Sequence, residues 1–115
     1  MPPVELGPEL ELLLAAYRRE LEQRFGERLL SLRLFGSRAR GDASEDSDAD
    51  VAIVIRDLSE VECDWAVRRA FEVWQEHEFR GPVLAPVVWS ESQHRDRLAA
   101  ERRIALDIAR EGVAR

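Results

Sequence analysis

The stretch "DADVAIVI", residues 48–55, constrains this chain more than any other. It is short, β-branched and apolar, with no polar residue after Asp50, which predicts a central strand buried on both faces. Such a strand needs paired neighbours and helices packed over it. The rest of the sequence supplies them in the order α, β, loop, β, α, β, α, with no internal repeat and no low-complexity linker. The fold class read from this order is α/β, a small mixed sheet with flanking helices, in a single domain over 1–115.

The first helix is predicted from about Pro8 to Phe25. Leu10, Leu13, Leu14, Tyr17, Leu21 and Phe25 recur at helical spacing, Gly7-Pro8 opens it and Gly26 closes it. "RLLSLRLFG" alternates Leu30, Leu32 and Leu34 against Ser31 and Arg33, as a strand does. After the central strand, Ser59 and Glu62 form a capping box for a second helix reaching about Phe79. Its expected inward stripe is Cys63, Val67, Ala70, Phe71 and Trp74. "GPVLAPVVW" reads as a third strand, with Pro82 at its start and Pro86 marking an edge position or a bulge. Ser90 and Gln93 cap a last helix, continuous or broken, running to Arg110, with Gly112 as its stop. Trp74 is expected in the core; Trp65 and Trp89 read as core residues, with exposed anchors as the other reading.

Composition narrows the function classes. The net charge of −6 lacks the basic footprint of a general nucleic-acid binder. No apolar run approaches the ~20 residues that span a bilayer, and the N-terminus lacks the pattern of a signal peptide, so a cytoplasmic location is the expectation. The lone Cys63 makes no intramolecular disulfide or cysteine metal site and reads as a small core residue. His77 and His94 have no acidic or cysteine neighbours at ligand spacing and read as surface or half-buried polar residues.

Chemistry concentrates in "FGSRARGDASEDSDAD", 35–50, where Asp42, Glu45, Asp46, Asp48 and Asp50 crowd together. Asp48 and Asp50 are two apart at a strand start, so they leave one face with Cα atoms about 6.5–7 Å apart. Two carboxylates that close repel unless a cation lies between them, and a hard divalent ion such as Mg²⁺ suits them. Gly36 lets backbone N–H groups approach a phosphate; Ser37 adds a hydroxyl, and Arg38 or Arg40 a charge-assisted hydrogen bond. Asp42, Glu45 and Asp46 read as solvated loop acids.

This segment resembles the signature of minimal nucleotidyltransferases in the DNA polymerase β-like superfamily: Gly-Ser-x-Ala-Arg-Gly, a short spacer, then Ser-Asp-x-Asp. Gly36, Ser37, Ala39, Arg40, Gly41, Ser47, Asp48 and Asp50 fill every signature position. The resemblance implies transfer of a nucleoside monophosphate from an NTP, AMP from ATP, to an acceptor hydroxyl. It implies nucleotide binding by Gly36, Ser37, Arg38, Arg40 and Ser47, and Mg²⁺ held by the catalytic pair Asp48 and Asp50. Arg40 is expected chiefly to order the loop. Members this small are often paired with a helical HEPN protein as toxin–antitoxin systems, which implies such a partner; a homo-oligomer is the other assembly expected.

The pattern is broken at one place. The family usually takes a third carboxylate from the next strand, and "GPVLAPVVWS" contains no acid; Ala85 and Pro86 stand where it is expected. Glu91 follows too late and reads as an ordinary acid of a helix first turn. The alternative function is therefore a catalytically silent subunit that binds nucleotide or partner.

Overall fold

The computed structural model describes residues 7–36, 48–100 and 113–114. Helix α1 (Pro8–Phe25) leads through a 3₁₀ turn (Gly26–Arg28) into β1 (Leu29–Phe35). Strand β2 (Ala49–Ile55), helix α2 (Glu60–Glu76), strand β3 (Leu84–Ser90), helix α3 (Glu91–Ala100) and a two-residue strand β4 (Val113–Ala114) follow. The sheet order is β3-β2-β1-β4. β1 runs antiparallel to β2 and β4, while β3 is parallel to β2, with α2 as the crossover a parallel pair requires.

The central strand is as expected: every residue of β2 is buried except the half-buried Asp50. One face of the sheet packs under α1 and α2, with Leu32, Leu34, Val51, Ile53 and Leu84 meeting Leu13, Leu14, Tyr17, Ala66 and Val73. The stripe read for α1 matches its buried residues one for one. The Tyr17 hydroxyl donates to the Ala66 carbonyl at 2.7 Å and ties the two helices together inside the core.

Two expectations about packing fail. Of the stripe read for α2, Ala70 is buried and Trp74 packs against the core, but Ala66 and Val73 complete the inward face while Val67 and Phe71 are 45% and 47% exposed. The face is set by tertiary contact with α1, to which the Tyr17 hydroxyl bond to the Ala66 carbonyl ties the helix. Cys63 is only half-buried. In β1 the register slips between Leu29 and Ser31 against Ile55 and Val54, a bulge that turns Leu30 outward, 40% exposed, and gives its core place to Leu29.

Other details hold. Both capping boxes form, at Ser59/Glu62 and Ser90/Gln93. Helix α2 stops at Glu76, short of Phe79, because Glu78 and Phe79 adopt left-handed backbone. Trp65 packs against the main core and Trp89 is buried, so neither is an exposed anchor. Pro86 does sit in an edge strand. Ala49 N–H donates to the Val83 carbonyl at 2.9 Å, which sets the alternation of β3 and turns Pro86, lacking an N–H, away from β2.

The end of the sheet away from Gly36 is clamped by Arg28. Its guanidinium forks onto Glu62 at 2.9 and 2.8 Å and donates to the carbonyls of Arg56 and Asp57. No helix among the described residues is long and apolar enough to cross a membrane.

Candidate active site

Antiparallel pairing of β1 with β2 brings the end of one strand beside the start of the other. Phe35 stands opposite Asp50, so the next residue, Gly36, lies against the Asp50 side chain. Gly36 has φ +74, and a β carbon built on it would meet Asp50 Oδ2 at 2.6 Å. Only glycine accepts both that backbone and that approach. The carboxylate is thereby packed against the first glycine of the loop.

Asp48 is exposed, just ahead of β2, and Asp50 is half-buried within it. Their two-residue spacing on extended chain gives both carboxylates one side of the sheet, opposite the helical layer. That side carries a second, smaller apolar cluster of Ala52 and Trp89 with Phe35 and Val87. His94 of α3 stacks on Trp89 with ring centroids 5.4 Å apart. The read sites Ser37, Arg38, Arg40 and Ser47 lie outside the described residues, as do the loop acids Asp42, Glu45 and Asp46. Of the read site residues, the structure brings Gly36 and Asp50 into contact, and Asp48 stands exposed just ahead of them in the chain.

The donors fit a hard cation. Two carboxylates at one strand start, beside a backbone with no β carbon in the way, suit an ion such as Mg²⁺ that keeps water and phosphate oxygens in its remaining positions. No group of three or more His, Cys, Asp or Glu that could hold a metal occurs among the described residues. On β3 the residue in register with Asp50 is Ala85, so the strand beside the pair presents a methyl group. Glu91 lies past Ser90, which pairs with Ile55 at the far end of β2, and it faces Arg56 at 3.9 Å.

Sequence reading passed over one residue on this side. Arg33, which the alternation marks only as the polar half of a strand, pairs from β1 with Ala52 of β2 and is exposed. The available signal was its parity: it shares a face with Phe35, the residue paired with Asp50.

Residues 14–104 match the family model described as a nucleotidyltransferase domain. A protein of Thermococcus cleftensis, protein adenylyltransferase MntA, is 42% identical over 50 residues, covering 44% of this chain and 48% of that protein. The match thus spans about half the length of that relative. A crystal structure titled as a toxin–antitoxin with AMP-PNP shares the fold at a TM-score of 0.54, with 16% identity over 86% of this chain and 69% of the other.

Proposed function

The chain belongs to the nucleotidyltransferase domain family, and on that premise we propose that it transfers AMP from ATP to a hydroxyl on a partner protein. The observation that carries this reading is the contact of Gly36 with Asp50: a loop-opening glycine packed on a carboxylate of the Asp-x-Asp pair. The relative's adenylyltransferase name favours a protein acceptor, and the toxin–antitoxin neighbour favours an antitoxin role beside a helical HEPN-type toxin.

In this reading Asp48 and Asp50 hold Mg²⁺, and Gly36 and Ser37 receive the β and γ phosphates. Arg38, Arg40 and Ser47 steady the loop and the nucleotide. The ion, when bound, neutralises phosphate charge in an in-line displacement. The acceptor oxygen bonds the α-phosphorus as the bridging bond to pyrophosphate breaks. The hydroxyl proton leaves to water or to a base carried by the acceptor, since β3 offers Ala85 beside Asp50.

That same alanine favours a second reading, a silent subunit that binds nucleotide and partner without turnover. Incubating the protein with Mg²⁺ and α-labelled ATP in a lysate of its host separates the two, with Asp48→Asn/Asp50→Asn run beside it. Label on a macromolecule with the native chain alone supports transfer and reveals the acceptor. Mg²⁺-dependent ATP binding with no label supports the silent subunit. Loss of both overturns the nucleotide reading.

A further inference from the structure

We infer that the flank of α2 turned away from α1 is a docking surface for a basic amphipathic helix of a partner protein, an inference that rests on the partner-protein reading above. Trp65 meets Phe25 and Arg69 meets Glu20 on the flank that faces α1. On the opposite flank Cys63, Val67, Phe71 and Trp74 recur at i, i+4, i+8 and i+11, one stripe of a helix. The pattern is that of a buried face, yet the chain's own core leaves much of it uncovered. Val67 and Phe71 are about half exposed, and Phe79, just past the helix, is 56% exposed. The apolar surface is continuous: the Trp74 ring has Phe71 at 5.7 Å and Phe79 at 4.8 Å between centroids. Apolar side chains scattered singly over a surface need no explanation, but a joined aromatic ridge marks an interface.

Phe79 is held on that ridge against backbone preference. Glu78 and Phe79 both take left-handed backbone, at φ 58 and 60, a conformation rare for a bulky aromatic. The Phe79 N–H donates to the Trp74 carbonyl at 3.0 Å, which keeps the ring beside the indole. Charge then identifies the occupant. At helical spacing Glu60 and Asp64 border the stripe near its start, and Glu78 stands at its end. Helix α2 has no basic residue in its last turn, so its carbonyl end adds to the negative field. Glu9 of α1 lines one groove there with Glu76 and Glu78. Arg69 is engaged with Glu20 and Glu76, Arg68 lies about 100° round the helix from Val67, and the exposed pair of Glu78 with Arg80 at 3.2 Å offsets little. Such a rim repels anionic lipid and nucleic acid. A second copy of the chain fits no better. Packed antiparallel about the ridge it sets Glu60 against Glu78, and packed parallel it sets each acid against itself. A helix of another protein, with apolar anchors flanked by Arg or Lys, matches both the ridge and its rim. Since α2 belongs to the helical layer, a partner seated here leaves the carboxylate side of the sheet open.

The test titrates the full chain into two labelled synthetic helical peptides, followed by fluorescence anisotropy. One carries a leucine stripe flanked by arginines, the other the same stripe flanked by glutamates. The basic peptide is expected to bind and the acidic one to stay free. Phe71→Ala and Phe79→Gly each weaken the basic peptide about tenfold. Glycine suits the left-handed backbone, so Phe79→Gly keeps its melting temperature near native, which separates docking from folding. Val61→Ser, 73% exposed but off the stripe, changes nothing. Glu60→Lys/Glu78→Lys moves the preference to the acidic peptide. Equal binding by native chain and Phe71→Ala, or no binding of the basic peptide, overturns the inference and leaves nucleotide transfer in place. So does a native dimer in sedimentation that Phe71→Glu dissociates, since the occupant is then a second copy. Stripe-dependent binding of the basic peptide by a chain that transfers no label removes the transfer reading and leaves the docking surface standing.

Discussion

Gly36 and Asp50 are in contact across the β1–β2 pair, with no room for a β carbon between them: one placed on Gly36 would stand 2.6 Å from Oδ2. Gly36→Ala therefore carries two penalties. The left-handed backbone at φ +74 costs an L-residue roughly 1–2 kcal/mol, and the new methyl must push the Asp50 carboxylate aside. The expected result is a small fall in melting temperature with loss of most Mg²⁺-dependent nucleotide binding, read by thermal melting and calorimetry on one preparation. Nucleotide affinity equal to native would remove Gly36 from the site.

The rotated face of α2 reverses two valines: sequence reading puts Val67 on the inward stripe and leaves Val73 off it. Val73 is buried and Val67 is 45% exposed. Val73→Ala is expected to destabilise the fold by about 2 kcal/mol through lost burial and a residual cavity. Val67→Ser should stay within about 0.5 kcal/mol of native. Chemical denaturation of both variants measures the contrast, and equal losses would contradict the packing described.

Acid stability should depend on Glu62. The forked hydrogen bonds from Arg28, aided by the Ser59 N–H, lower its carboxyl from 4.5 to about 2. A carboxylate whose pKa is depressed by folding adds stability above its unfolded value, and that contribution is lost as pH falls through its folded one. The native melting temperature should thus decline as pH drops from 4.5 toward about 2. In Glu62→Gln the melting temperature at neutral pH is lower and this part of the acid dependence disappears, which a series of melts across that range would show.

At the alkaline end the responsible group is Tyr17. Burial raises its phenol well above the ordinary value of 10.0, with the Cys63 thiol adding to the shift. The neutral phenol is favoured by folding, so its contribution is complete below pH 10 and is lost as pH rises beyond it. Tyr17→Phe should lose about 1 kcal/mol with the hydrogen bond to the Ala66 carbonyl. It should also unfold less steeply with rising pH than the native chain, as circular dichroism above pH 10 would report.

What the sequence made legible was whatever short-range pattern encodes. The stripe of α1, the two capping boxes, the buried central strand and the edge position of Pro86 each depend on neighbours within one element, and each is found. The phase of α2 depends on how close α1 lies, set by a bond between residues 49 apart, and no local periodicity contains it. The bulge at Leu29–Ser31 likewise exists only in the pairing with β2. Strand β4 has two residues, too few for any alternation to register. In the site, Asp48, Asp50 and Gly36 stood out through spacing and residue type. The closeness of Gly36 to Asp50 comes from strand register alone.

Pro86 has a consequence for assembly. Unpaired strands at a sheet margin are templates on which another polypeptide can grow, the first step toward domain swapping or fibrils. On β3 the middle outward position offers a carbonyl but no amide hydrogen, so an incoming strand loses a bond at the centre of the ladder. Another protein chain reaching this margin is thus steered toward gripping it by side chains, leaving the sheet its own width.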